Sequence, residues 1–350
     1  MAKYEEKNSN SFSALKASLK EKRLDRLYVF HGEETFLLRH YLKQIHKVLI
    51  DPVTESFNFH KLTNENFNLT EFAYCVENLP MMAESTLVVV DEVDIFKLPE
   101  SDRERLAEII SDIPEYCTVV FTYETTCWKP DKRYKKFWDA VEKNAKIVEF
   151  EKQNQRDLIP WIGRHFAAYQ KRISNDLCVY LIELTDGTMT SLAGEIQKIC
   201  AYSGADMIKK SDIDAVVEPV LDALMFQITD NFGTGEYGIA LQKLMQLRKM
   251  QEEPLSILGA IGGHFRRMAT GRILSNHGKN AADLRKIYPS ISDFACRKTM
   301  SACTRFSPAF YKKAAELVME TDYQIKTSFD TPDRLLELLL LRLAGEARNG

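Results

Sequence analysis

The residues best placed to do chemistry close a short apolar run. Leu87-Val88-Val89-Val90 reads as a strand, and Asp91-Glu92 follow it directly. An acidic pair at a strand end is the Walker B pattern, in which an Asp holds magnesium and a Glu activates water for phosphoryl transfer. That chemistry needs a phosphate-binding loop of the form G-x-x-x-x-G-K-[ST], with a lysine for the phosphates and a hydroxyl for the metal. The loop available here is Gly32-Glu33-Glu34-Thr35-Phe36-Leu37-Leu38-Arg39, where the second glycine, the lysine and the hydroxyl are all missing. Glu33 and Glu34 would also put negative charge at the helix N-terminus, where a phosphate would otherwise sit. Nucleotide binding is therefore not expected. Glu33 and Glu34 are read as helix caps, and Asp91 and Glu92 as caps or as a vestige.

Other chemistry is sparse. The seven cysteines (75, 117, 127, 178, 200, 296 and 303) include no Cys-x-x-Cys, and the histidines offer no His-x-x-x-His. This predicts reduced thiols, a cytoplasmic protein, and neither metal nor cofactor. No Ser/His/Asp or Cys/His arrangement carries a nucleophile signature. His264-Phe265-Arg266-Arg267, with Arg272 further along, has the composition to touch a nucleic-acid backbone, or equally to form a solvated helix face. The run Lys129, Lys132, Arg133, Lys135, Lys136 is read as a solvated face.

The stretch before the acidic pair is the more unusual one. Leu79-Pro80-Met81-Met82-Ala83-Glu84-Ser85-Thr86 leads into the strand. Pro80 has no amide donor and disfavours helix at Leu79, so the preceding helix should stop there. Met81 and Met82 then fall on a connection. Either they fold back into the core or they are offered to a partner's groove, a role suited to flexible methionines.

The elements that position these residues follow from periodicity. Apolar runs predict strands at Leu27–Phe30, Phe57–Leu62, Leu87–Val90, Thr118–Tyr123 and Lys146–Phe150. Helices are expected between them, at 12–24, 35–49, 69–77, 101–112 and 132–142. Alternating strands and helices give a five-stranded parallel sheet covered on both faces. From Asn154 the pattern becomes helical, with short helices near 158–166, 177–184, 191–202 and 212–217. Pro160 is expected in a first turn, and Ser211-Asp212 as an N-cap. Longer helices are expected at 219–232, 236–250, 254–275, 281–287, 291–303, 307–327 and 331–347. The last, with Leu335-Leu336-Glu337-Leu338-Leu339-Leu340-Leu341, should lie centrally in a bundle or at an interface. Over the whole, 350 residues with 45% apolar and 28% charged residues describe a globular chain of two or three domains. The longest apolar runs are too short to span a membrane. The net charge of −3 divides into −5 over 1–150, −1 over 151–217 and +3 over 218–350, too even for a dedicated nucleic-acid binder.

Several stretches, in order, resemble one family. These are Leu27-Tyr28-Val29-Phe30-His31-Gly32-Glu33-Glu34 and Leu79-Pro80-Met81-Met82, then Asp186-Gly187 with Ser191-Leu192, Glu195 and Lys198. Glu253-Pro254-Leu255, Phe265-Arg266, Phe306-Ser307 and Asp322-Tyr323-Gln324-Ile325-Lys326 complete the set. Together they are similar to the delta subunit of bacterial DNA polymerase III, the clamp-opening subunit of the clamp loader, over about residues 12–345. The resemblance implies an α/β then all-α fold. Residues 1–150 would form an AAA+-like domain without a P-loop, 151–217 a small helical lid, and 218–350 a helical collar. It implies no catalysis in this chain, which would be one subunit of a DNA-directed DNA polymerase (nucleotidyltransferase) holoenzyme. The implied partners are the sliding clamp (beta), the ATPase subunits (tau/gamma), the delta-prime subunit and, inside the complex, primer–template DNA; no membrane is involved. The clamp-binding element would be Leu79, Pro80, Met81 and Met82, with methionines where the family's Leu-Pro-Phe-Phe has aromatics. Arg266 and Arg267 are the candidate DNA contacts. An active AAA+ ATPase and a freestanding DNA-binding module are the competing readings.

Overall fold

The computed structural model describes residues 2–234, 236–249, 253–289, 291 and 293–349. The chain divides into two units, Met1–Gln153 and Asn154–Gly350. The first alternates helix and strand: α1 (Ala2–Glu21), β1 (Leu27–His31), α2 (Thr35–Leu49), α3 (Glu55–Asn58), β2 (Phe59–Thr63), α4 (Leu69–Glu77), β3 (Thr86–Asp91), α5 (Glu100–Ser111), β4 (Cys117–Tyr123), α6 (Lys135–Asn144) and β5 (Lys146–Glu149). The strands form one all-parallel sheet in the order β2-β3-β4-β1-β5.

Period-two alternation splits each strand between two cores. Tyr28, Phe30, Leu87, Val89, Val120 and Val148 face one way, against Leu15 of α1 and Leu38 and Ile45 of α2. Leu27, Val29, Val88, Val90, Val119 and Phe121 face the other, against Phe72, Leu106, Ile110, Phe137 and Val141. Both faces are covered, which is why the strands read as continuous aliphatic runs.

The second unit is helical: α7 (Gln155–Ala168), α8 (Asn175–Leu184), α9 (Met189–Tyr202), α10 (Lys210–Val216), α11 (Leu221–Thr234), α12 (Tyr237–Lys249), α13 (Pro254–Asn276), α14 (Ala281–Ile287), α15 (Asp293–Ala302), α16 (Pro308–Thr327) and α17 (Pro332–Asn349). The α/β then all-α order is the one expected. Leu224, Ile228, Ile261, Phe265, Phe310, Leu336, Leu339 and Leu343 build its main core. Leu338 and Leu341 stay exposed on α17, so the leucine-rich helix buries one face rather than all of its circumference. Within this unit the Leu184 carbonyl accepts the Val220 amide, and Lys298 of α15 pairs with Glu183 of α8 at 3.3 Å. Among the described residues no helix is long and apolar enough to cross a membrane.

The departures have local causes. α1 begins at Ala2, ahead of the expected 12, because Lys3–Asn10 is polar and carries no apolar period. α3 takes Phe57 and Asn58 out of the expected second strand. Pro160 lies inside α7 instead of its first turn, because Asn154 starts that helix earlier by accepting the Asp157 amide. Ser211-Asp212 sit inside α10 rather than before it; Asp212 accepts the Lys209 amide from the first turn. The helices expected at 236–250 and 291–303 run 237–249 and 293–302, and Met250 and Ser292 lie outside the described residues.

Gly32 closes the turn after β1 at φ +133, and a Cβ there would collide with the backbone of Phe150. Glu34 and Phe150 share a backbone bond beside it. Gly32→Ala should cost about 2–4 kcal/mol, read as a shift in the urea midpoint. A midpoint within error of the parent would show that the turn tolerates a side chain.

Candidate functional site

A parallel sheet sends all strand starts to one edge and all strand ends to the other. The tip 79–85 enters β3 at its start, whereas Gly32 and Asp91-Glu92 leave β1 and β3 at their ends. The two features singled out by sequence therefore stand at opposite edges of the sheet.

At the strand-start edge, α4 stops where Pro80 requires it, with Asn78 as its extended C-cap. The connection then carries its apolar side chains outward. Leu79 is 74% exposed, Met81 54% and Met82 93%, while Pro80 is half-buried. The fold-back alternative for the methionines is excluded. Met82 adopts φ 53, a left-handed conformation that few residues with a side chain take up. Val53, Phe57 and Tyr74 are also exposed, on the segments flanking this edge.

The residue behind the tip carries no signal in the sequence pattern. Asn58 is fully buried. Its Oδ1 accepts the Met81 amide at 2.8 Å, and its Nδ2 donates to the Met81 carbonyl at 2.9 Å and to the Thr54 carbonyl at 3.2 Å. Placed in a strand by its apolar neighbours, Asn58 gave no local sign of a partner 23 residues away.

At the strand-end edge the acidic residues hold the fold together. Asp91 pairs with Lys61 at 2.9 Å and accepts the Thr122 hydroxyl at 2.8 Å. Glu92 accepts the amides of Glu124, Thr125 and Thr126 and the hydroxyl of Thr125, at 2.5–2.9 Å. Burial alone would raise the Glu92 carboxyl, but these donors hold it down at about 2. The cap reading of Glu92 is correct, although what it caps is the loop after β4. Glu34 occupies the N-cap position of α2, yet its buried carboxyl makes no capping bond, which corrects that expectation. Burial pushes the His31 imidazole down to about 4, so it is neutral at pH 7, and it stacks on Trp128. Among the described residues no cluster is able to hold a metal ion.

Arg266 and Arg267 lie on α13 but point differently. Arg266 is exposed, whereas Arg267 is largely covered and binds Asp222 of α11 at 2.6 Å. Their neighbour His264 is buried, bonded through Nε2 to the Thr229 hydroxyl at 3.2 Å, and packed edge-on against Phe226. Burial first, then the Arg267 and Lys298 cations, push its imidazole down to about 3, so it is neutral as well. One end of the sheet thus carries an exposed apolar tip, and the other carries acidic side chains bonded into the fold.

The chain matches two family descriptions: "DNA polymerase III, delta subunit" over residues 28–151, and "DNA polymerase III delta subunit, C-terminal domain" over 222–343. It is 27% identical over 335 residues to a DNA polymerase III subunit delta of Bacillus subtilis, covering 93% of this chain and 95% of that one. It is 22% identical to a probable DNA polymerase III subunit delta of Aquifex aeolicus, covering 92% of each. Among solved structures it is similar to a Bacillus subtilis DNA clamp loader delta protein, with a TM-score of 0.64, 25% identity, and coverage of 96% of this chain and 99% of that one. The two matched segments contain the tip, the acidic corner and Arg266, and the chain belongs to the DNA polymerase III delta subunit family.

Proposed function

We propose that this chain binds the ring-shaped sliding clamp and opens it for loading onto primed DNA, and that Leu79, Pro80, Met81 and Met82 make the contact. The observation that carries this reading is the outward display of Met81 and Met82 on a connection whose backbone is anchored. Two apolar side chains standing in water gain by entering an apolar pocket, roughly 3–6 kcal/mol before association costs. A tip that fits the opened ring better than the closed one shifts that equilibrium by its differential affinity alone. No bond is made or broken in this chain.

The remaining roles belong to the same reading. Residues 1–150 serve as an AAA+-like module, 151–217 as a lid, and 218–350 as a collar that assembles with the ATPase (tau/gamma) and delta-prime subunits in the cytoplasm. Exposed Leu338 and Leu341 on α17 support an interface there. Arg266 is the better candidate for primer–template DNA inside the complex, since Arg267 already binds Asp222. A freestanding DNA-binding module would instead show salt-sensitive binding by the isolated chain. Absence of ATPase activity is supported by the missing P-loop lysine and by the engagement of Asp91 and Glu92 in the fold. ATP held by the partner subunits would then decide when the tip is offered.

Titration with ATP and magnesium should give no saturable binding to the isolated chain; a saturable isotherm would restore the ATPase reading. Glu92→Gln should destabilise the protein at pH 7. Because the folded-state carboxyl is held below its ordinary 4.5, the wild-type advantage is complete above that value and fades as pH falls toward about 2. Denaturation midpoints of the two proteins should converge between pH 4.5 and 2, and a constant gap would contradict the proposed role of the carboxylate. For the tip, Met81→Ala/Met82→Ala should weaken binding to the clamp of the same organism about 100-fold or more, with the melting temperature unchanged. Equal affinity of the double variant would sink the assignment.

A further inference from the structure

The connection between α4 and β3 is eight residues long and has no regular structure. Among the described residues, Met81 is the one position between Leu79 and Ser85 whose backbone is hydrogen-bonded. Both of its backbone groups are engaged, and both by the side chain of Asn58. The carboxamide thus imitates a hydrogen-bonded pair in an antiparallel ladder, where two residues exchange both N–H···O bonds. Its orientation is determined by its partners. Oδ1 meets an amide, and Nδ2 meets the carbonyls of Met81 and Thr54; the flipped carboxamide would oppose donor to donor and acceptor to acceptor.

Burying this group is costly unless every polar atom is matched. A leucine would fill the same space without that demand. What leucine would not do is tie the tip to the helical turn Thr54–Asn58, which runs directly into β2 and so into the sheet. Met82, the residue after the tie, holds its left-handed φ of 53 and stands almost wholly in solvent. The tie therefore sets where Met81 and Met82 leave the surface.

We propose that Asn58 is a positioning residue for the clamp contact: its carboxamide holds the Met81 peptide so that the two methionines are presented in their bound arrangement before the clamp arrives. The proposal rests on the clamp-binding function proposed for the tip. Without the tie, the tip occupies its competent arrangement only part of the time, and the apparent affinity falls by that fraction.

The test measures binding of the full chain to the sliding clamp of the same organism, at a temperature where every variant is folded. Wild type runs beside Asn58→Ala, Asn58→Asp and Met81→Ala/Met82→Ala. Asn58→Ala should weaken binding about tenfold although both methionines are intact. A carboxylate introduced by Asn58→Asp accepts the Met81 amide but cannot donate to the Met81 carbonyl; protonated, it can. Binding by Asn58→Asp should therefore be weak at pH 8 and recover toward wild type by pH 5.5. Titratable groups on the segments around Asn58 include Glu55 and its partner His46 of α2, His60 beside Phe57, and Glu84 in the tip, and the wild-type profile accounts for them. A merely structural role would not produce this selective recovery.

Wild-type affinity in both Asn58 variants, with the double methionine variant inactive, would overturn the positioning role and leave the clamp reading standing. Failure of wild type to bind would overturn the clamp reading, and this inference with it. If the Asn58 variants do not fold, amide exchange in the wild-type chain decides. Exchange at Met81 at least 100-fold slower than at Met82 supports the tie, and equal rates overturn it.

Discussion

One strand constrains everything the first unit can do. β3 is hydrogen-bonded in parallel to β2 on one side and β4 on the other, with Leu87, Val88, Val89 and Val90 buried on alternate faces. A one-residue slip would exchange its two core faces and break registry with both neighbours, so its register is strongly specified. Its ends are then specified too. The strand spans roughly 17 Å at about 3.3 Å per residue, which separates the tip at its start from Asp91-Glu92 at its finish. A ligand small enough to sit at one end does not reach the other. The apolar tip and the acidic corner are thus independent features, although only four residues of sequence part Thr86 from Asp91.

At the acidic corner Asp91 and Glu92 are bonded to a neighbouring strand and to the loop after β4. A carboxylate that activates water must keep an oxygen free for it. Glu92 instead gathers three consecutive amides, and so draws the loop after β4 onto the end of β3. Lys61 neutralises Asp91 from the edge strand. His31, at the end of β1, is held neutral by burial, so it brings no cation to the corner at pH 7. The glycine turn here leads to Glu33 and Glu34, and the nearby cations Lys61 and Arg39 are paired with Asp91 and Glu124.

Much of this architecture was legible in the sequence because it depends on local pattern. The strands are aliphatic runs, α2 and α4 have the expected bounds, and Pro80 marks the end of α4 from its own chemistry. What was not legible depends on partners distant in sequence. Asn58 sits among Phe57, Phe59 and Leu62 and reads as one polar residue in a strand; its meaning lies in the Met81 peptide. Arg266 and Arg267 are adjacent and identical, but they point about 100° apart on α13, and only the packing of that helix shows that Arg267 meets Asp222 while Arg266 stays exposed. Pro160 reads as a first-turn residue because the polar residues before it carry no apolar period, and the start of α7 is set by the Asn154 cap. The outward direction of Met81 and Met82 was likewise undecidable, since an apolar residue on a loop fits a core as well as it fits a partner.

For the proposed clamp contact, methionine at the tip makes the backbone anchor matter more. A methionine side chain has three rotatable bonds, and ordering it costs up to roughly 1.5–2 kcal/mol, more than a stiff aromatic ring of similar apolar area loses. Two such side chains give back a substantial part of what their burial contributes. If the peptide carrying them also had to be ordered on binding, at about 1–2 kcal/mol per residue, little net attraction would remain. Fixing the Met81 peptide within the folded protein moves that cost from association to folding, where a buried carboxamide with matched partners can carry it. The side chains keep their adaptability while the Met81 peptide is held by Asn58. A tied peptide bearing flexible side chains is therefore the arrangement in which the proposed contact loses least affinity to the mobility of methionine.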